Sequence, residues 1–482
     1  MHSAASAKVP ISRPTPRGST KIDSDIDERI PTMSRLFGTD GVRGLANRDI
    51  SAKLALQLSV AGSRVLSRGW TGEKRPFAVV GRDTRVSGEF LSAALSAGIA
   101  STGVDVLDAG MLPTPGIAQV VKDTGAAFGV VISASHNPMP DNGIKFFAAG
   151  GTKLDDAVED EILAIFDQDW DRPTGADVGR IARYPAAADE YTEHLVRCVD
   201  ADNVRPLSGL KVVVDCAHGA ASIVGPAALR QAGAEVIVSA AEPDGFNIND
   251  GVGSTHLEPL QRLVVETQSD LGVAFDGDAD RCLAVDSLGR VVNGDQVMGI
   301  LAIGLKELGE LRGNTLVTTV MSNLGLTQAM DKYGISTVQT AVGDRYVLER
   351  MLADGYALGG EQSGHVLMLD HGTTGDGVQT ALHLMKRMAD AKRTLADLAA
   401  EIPQLPQALV NVKGVDKNNV DHPQVAAAVA AVEAELADTG RVLLRASGTE
   451  PLIRVMVEAA TEDAAAAQAE RLAASVKEHL AL

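Results

Sequence analysis

The chain has 482 residues, a formal net charge of −19 and an apolar content of 45%, which allows three or four domains with large cores and argues against nucleic acid or an anionic membrane as partner. Aromatic residues make up only 3%, with 48 glycines, a composition that suits close-packed α/β layers better than a β sandwich. The three cysteines, Cys198, Cys216 and Cys282, form no C-x-x-C pair, so a disulfide framework is excluded and a reducing, cytoplasmic setting is expected.

Residues 1–33 contain Pro, Ser, Thr and charges but no apolar core of a secretory signal. They read as a disordered tail, with Met33 a candidate alternative start. No apolar run reaches the ~18 residues of a membrane span. From there strands and helices alternate. The spacing predicts a helix over 54–66, a strand over 77–80, a helix to residue 99 capped by Ser87, a strand over 104–107, a helix after Pro115 and a strand over 128–132. Such alternation indicates βαβ units. The plan restarts with strands at 211–214 and 315–320, each followed by a helix-compatible stretch. Beyond Pro403 and Pro406 the order changes: a strand over 408–412, a helix over 425–436, strands over 441–444 and 452–457, and a helix over 462–479. The expected architecture is α/β: three similar domains with mixed or parallel sheets, then a smaller α+β domain. The expected bounds are 34–185, 186–290, 291–402 and 403–482.

Four segments carry chemistry. Ser133-Ala134-Ser135-His136-Asn137-Pro138 follows a buried strand, where open α/β sheets bind ligands. Ser135 is a candidate nucleophile; a plain turn capped by Ser and Asn is the alternative. Asp276-Gly277-Asp278-Ala279-Asp280-Arg281 follows the apolar run 271–275. Three carboxylates at alternate positions repel one another unless a cation joins them, and all-oxygen donors suit Mg²⁺ or Ca²⁺. It is not an EF-hand, because Arg281 and Ser287 stand where that loop needs Gly and Glu. A solvated acidic turn and an aspartyl nucleophile are the alternatives. Arg445-Ala446-Ser447-Gly448-Thr449-Glu450-Pro451, with Arg454 beyond, combines hydroxyls, backbone N–H groups and guanidiniums suited to a phosphate. Glu361-Gln362-Ser363-Gly364-His365 could bind sugar hydroxyls and exchange a proton, although by itself this signal is weak. No Walker A loop is present, and Gly251-Val252-Gly253 lacks the rest of a dinucleotide fingerprint.

In this order, from about residue 34 onward, the four segments resemble the α-D-phosphohexomutase superfamily. Phe37-Gly38-Thr39-Asp40-Gly41-Val42-Arg43-Gly44 and Gly360-Glu361-Gln362-Ser363-Gly364-His365 are similar to its bacterial branch that acts on glucosamine phosphates. The resemblance implies four domains around a central cleft and interconversion of glucosamine 6-phosphate and glucosamine 1-phosphate through a 1,6-bisphosphate. It implies a phosphoserine at Ser135 and one Mg²⁺ per subunit held by Ser135, Asp276, Asp278 and Asp280. It places Arg43, Lys145 and His365 in catalysis, with Lys145 and His365 competing as proton carrier. Arg281, Glu361, Ser363, Arg445, Ser447, Gly448, Thr449 and Arg454 would bind the sugar phosphate. A hexose 1,6-bisphosphate primer and a homodimer are further implications. Glucose and mannose phosphates are the rival substrates, and a non-catalytic phosphosugar-binding protein is the rival of another kind.

Overall fold

Four β-sheets follow one another along the chain of the computed structural model, which describes residues 36–38, 40–202, 204–447 and 451–482. Residues 37–482 belong to one compact unit. The expected tail over 1–33 lies outside the described residues.

The first sheet has seven strands. Its path runs Val42–Leu45, Asp141–Ala148, Phe128–Ile132, Phe77–Arg82, Asp105–Met111, Ile181–Arg183, with Thr152–Lys153 beside Asp141–Ala148. Phe77–Arg82 lies parallel to both Asp105–Met111 and Phe128–Ile132, as βαβ units require. Phe128–Ile132 is buried along its whole length, which explains its unbroken apolar sequence. Asp141–Ala148 then returns antiparallel and sets Lys145 opposite Val131. The helix Ala52–Leu66 starts on Ser51, whose side chain accepts from Leu54 N at 3.2 Å.

Ser87 does not cap its helix as the spacing predicts. Val86 is already helical in backbone, and Ser87 is the first residue of Ser87–Ser101. The Ser87 hydroxyl instead accepts from Asn142 Nδ2 at 2.9 Å, so it ties the helix to the neighbouring strand.

The second sheet runs Val291–Val292, Cys282–Asp286, Leu271–Phe275, Lys211–Asp215, Glu235–Ser239. Leu271–Phe275 and Cys282–Asp286 are antiparallel partners, so the acidic segment 276–281 is the turn of a hairpin. The third sheet runs Ser336–Thr340, Thr315–Thr319, Leu358–Gly360, Val366–Met368. The fourth has only Gln407–Lys413, Leu452–Glu458 and Arg441–Ala446, all antiparallel.

One continuous apolar core joins the first three sheets, from Val79 and Ile117 through Val212 and Val273 to Leu316 and Met385. The fourth sheet has its own core, in which Val412, Ile453 and Val455 meet Leu472 and Val476 of the helix Glu462–Leu480.

Candidate active site

Two loops at the ends of buried strands come together. Ser135 stands three residues after Phe128–Ile132, and Asp276 directly follows Leu271–Phe275. Both therefore lie at carboxyl ends of strands that are parallel to their inner neighbours. The Ser135 hydroxyl donates to Asp276 Oδ2 at 2.5 Å across 141 residues of sequence. His136 Nδ1 lies 3.2 Å from the same hydroxyl.

The hairpin turn draws Asp276, Asp278 and Asp280 together, with one carboxylate oxygen of each within 4.8 Å of the others. All three are buried. Burial, then repulsion from Asp280 and Asp278, pushes the Asp276 carboxyl well above its ordinary range. At Asp280 burial acts in the same direction but is outweighed by His365, Lys145 and Arg281, which hold that carboxyl well below it.

Lys145 connects this turn to the first sheet. Its Nζ lies 2.8 Å from Asp40 Oδ2, 3.1 Å from Asp278 Oδ2 and 3.8 Å from Asp280 Oδ2. Burial alone would favour the neutral amine, but these carboxylates raise its pKa and keep it charged. Thr114 Oγ1 donates to Asp278 Oδ2 at 2.6 Å. Arg43 pairs with Asp40, and Arg281 Nε lies 3.9 Å from Asp280 Oδ1. Burial, reinforced by the Arg281 and Arg43 charges, lowers the His136 pKa to about 4.

The sugar-type loop reaches the same place from the third sheet. It joins Leu358–Gly360 to Val366–Met368, and Gly364 O accepts from Cys282 N of the hairpin at 3.0 Å. His365 lies between two acids, with Nδ1 at 3.7 Å from Asp280 Oδ1 and Nε2 at 3.3 Å from Asp344 Oδ2. Glu361 Oε1 accepts from Gly343 N at 3.0 Å. The Ser363 Oγ is shielded from solvent and has no hydrogen-bond partner among the described residues.

Ser135, the three aspartates, Lys145, Arg43, Arg281 and His365 thus form one network, with Glu361 and Ser363 on its edge. Arg445, Ser447 and Arg454 form a separate group in the fourth sheet. Arg445 stands opposite Arg454 on antiparallel strands, and burial together with the Arg454 charge lowers the Arg445 pKa. Ser447 O accepts from Lys417 Nζ at 2.9 Å. Gly448 and Thr449 lie outside the described residues.

Comparison with known proteins gives this arrangement its context. The phosphoglucomutase/phosphomannomutase family matches in four successive parts: alpha/beta/alpha domain I over residues 34–172, domain II over 189–289, domain III over 293–405 and the C-terminal domain over 409–475. The chain belongs to this family. A phosphoglucosamine mutase of Nocardioides sp. is 60% identical over 452 residues, 93% of this chain and 100% of that one. Another, of Acidothermus cellulolyticus, is 59% identical over 453 residues, 94% of this chain and 97% of that one. Among solved structures, a phosphoglucomutase/phosphomannomutase family protein of Burkholderia thailandensis has a TM-score of 0.75 at 23% identity, covering 92% of this chain and 98% of that one. An N-acetylphosphoglucosamine mutase of Aspergillus fumigatus, in complex with GlcNAc-6P and magnesium, has a TM-score of 0.65 at 18% identity, covering 92% and 95%. At such identities the structural likeness is one of fold.

In this member of the family the acidic turn suits a hard cation. Asp278 Oδ1 is buried and accepts no hydrogen bond among the described residues, while Asp280 Oδ1 has the looser contacts with His365 and Arg281 already given. Buried carboxylate oxygens in that state are costly without a positive partner, and an all-oxygen donor set is what such a cation takes.

Several network members carried no role in the sequence reading. Asp40 pairs with Arg43, Lys145 and Lys153, and Asp344 joins Lys153 to His365. Asp40 was visible only as part of the sequence Phe37-Gly38-Thr39-Asp40-Gly41-Val42-Arg43-Gly44, which carries the resemblance but gave it no role. Lys153 and Asp344 lie outside the four chemistry-bearing segments and gave no signal.

Proposed function

We propose that this chain interconverts glucosamine 6-phosphate and glucosamine 1-phosphate, with Ser135 as the carrier of the transferred phosphoryl group. The observation that carries this reading is the 2.5 Å contact of Ser135 Oγ with Asp276 Oδ2, inside a ring of three buried carboxylates. The glucosamine part rests on relatives called phosphoglucosamine mutase at 57–60% identity over 92–94% of the chain. The proposed domains are 34–185, 186–290, 291–402 and 403–482, each bringing one of the four loops.

In the proposed cycle, phosphorylated Ser135 gives its phosphoryl group to the sugar O1. The P–Oγ bond breaks and the P–O1 bond forms, while the O1 proton leaves to His365; Lys145, kept charged by its carboxylates, acts as a stabilising cation. The 1,6-bisphosphate turns over within the cleft, and its O6 phosphoryl group returns to Ser135 Oγ: the P–O6 bond breaks, the P–Oγ bond forms again, and the proton held by His365 passes to O6, releasing glucosamine 1-phosphate. Arg43, Arg281 and the Lys145 ammonium offset the negative charge beside Ser135, which is the main demand of phosphoryl transfer. Arg445, Ser447, Gly448, Thr449 and Arg454 hold the phosphate that is not reacting. Glu361 and Ser363 orient sugar hydroxyls. Mg²⁺, held by Asp276, Asp278, Asp280 and the Ser135 oxygen, would supply positive charge to the phosphoryl oxygens. A hexose 1,6-bisphosphate supplies the first phosphoryl group.

Two measurements test the proposal together. Assay of glucosamine, glucose and mannose 6-phosphates should give the highest kcat/KM with glucosamine, and peptide mass spectrometry should place the phosphate on Ser135. A higher kcat/KM for either neutral sugar overturns the substrate, and turnover without phosphoserine overturns the carrier.

A further inference from the structure

Ser135 has a backbone φ of +53°, a left-handed conformation that a residue with a Cβ keeps only when its surroundings hold it there. Those surroundings are unusually complete. The Ser135 carbonyl accepts from Arg85 Nη2 at 2.9 Å and from Asn249 Nδ2 at 2.9 Å. The same two nitrogens donate to the Asn137 carbonyl, at 2.9 and 3.1 Å. Arg85 Nη1 donates to Pro138 O at 2.6 Å. On the other side of the residue, Ser135 N donates to Ser133 Oγ at 2.9 Å, and that hydroxyl donates to Asp83 Oδ2 at 2.7 Å. Asp83 in turn holds Arg85 Nε at 2.9 Å. The Arg85 side chain is wholly buried.

Three carbonyl oxygens converging on one point repel one another unless donors lie between them. Carbonyls only accept, so the Asn249 amide must turn its NH2 toward them. Asn249 belongs to the second-sheet segment and is fixed there by its own N–H on Ala217 O at 2.9 Å. Arg85 comes from the first. The nucleophile loop is therefore gripped from both sides.

We infer that Arg85 and Asn249 are positioning residues that set the direction of the Ser135 hydroxyl by holding its carbonyl and that of Asn137. The inference rests on the reading of Ser135 as phosphoryl carrier. Neither side chain touches the hydroxyl itself. Their effect belongs to the transfer step and not to sugar binding, because the geometry they fix is that of the reacting oxygen.

Asn249→Asp tests this. Aspartate keeps the size of asparagine and its tolerance of the left-handed conformation that Asn249 holds at φ +59°, but it replaces the NH2 donor with an acceptor. The expected result is a fall in kcat of about tenfold to a hundredfold, with the KM for glucosamine 6-phosphate changed by less than about twofold. Phosphoserine formation from glucose 1,6-bisphosphate, read by intact mass, should slow by the same factor. If Asn249→Asp fails to fold, Asn249→Ser removes both hydrogen bonds without adding charge and is read in the same way. A kcat near wild type, or a loss confined to KM, overturns the inference. Ser135→Ala run alongside separates the two readings. Turnover by that variant defeats the carrier assignment, whereas an inactive Ser135→Ala beside an unimpaired Asn249 variant defeats only the positioning role.

Discussion

Ser135 takes its meaning from a partner 141 residues away. Neither loop alone distinguishes a catalytic centre from a polar turn, but their meeting does. Ser135→Ala removes only one oxygen from a tightly held loop, so it should fold, bind sugar phosphate and show no mutase turnover, as steady-state assay and thermal melting will test. Arg445→Met should act differently. It takes away one of two guanidiniums proposed to hold the non-reacting phosphate, so the KM should rise by about tenfold or more with a smaller change in kcat. The serine, the acidic turn and the arginines were legible because each is a cluster of unlike chemistry after an apolar run. Lys153 and Asp344 were not, because their partners lie far away in sequence and only folding brings them together. Asn249 lay hidden for the same reason.

At the level of elements, the hairpin turn 276–281 is held from behind. Gly377 N donates to Ala279 O at 2.9 Å, and Gly377 opens the helix Gly377–Ala391, whose cap is Asp376. The Asp376 carboxyl accepts from Gln379 N at 2.9 Å and from the Tyr191 hydroxyl at 2.7 Å. Burial raises its pKa to about 6 despite those bonds. The folded protein therefore binds this proton more tightly than the unfolded chain, whose value is about 3.9. Its stabilising contribution is complete below about pH 4 and is lost as pH rises to about 6. The substitution Asp376→Asn mimics the protonated acid and keeps the cap. Relative to wild type, that variant should gain about 2–3 kcal/mol between pH 4 and pH 7, read by urea unfolding at several pH values. Gly277→Ala should do the opposite. An added Cβ would stand 2.7 Å from Ser135 O and 2.9 Å from Asn249 Nδ2, so stability should fall by about 1–3 kcal/mol and activity with it. The buried strand 128–132 matched its predicted limits, and the apolar run 271–275 is likewise a buried strand, since continuous apolar runs ending in polar loops leave little choice. The strand Asp141–Ala148 was missed. Pro138, Pro140 and Gly143 signal a turn, and only pairing with Phe128–Ile132 makes the segment extended.

Across the whole molecule, three sheets share one core and the fourth keeps its own. The fourth is joined to the third through Arg441, whose Nη1 donates to Val320 O at 3.1 Å, and through Glu458, which accepts from Leu324 N at 2.8 Å. The acidic turn lies where the first three sheets meet, so a cation bound there should stabilise the fold as well as support activity. A chelator should abolish turnover, and added Mg²⁺ should restore it and raise the melting temperature in proportion to its occupancy; a melting temperature indifferent to Mg²⁺ would count against the site. Sequence periodicity indicated four modules and both strands of the last hairpin, but the antiparallel returns in the first three sheets depend on pairing that the local pattern did not reveal.

Arg445 and Arg454 face each other across the ladder of the fourth sheet, a register in which like charges push apart. A dianion placed between them relieves that push whichever carbon of the sugar carries it. In the proposed cycle, two opposed guanidiniums that contact only phosphate oxygens would accept either end of the bisphosphate, so the intermediate can be held first by one end and then by the other.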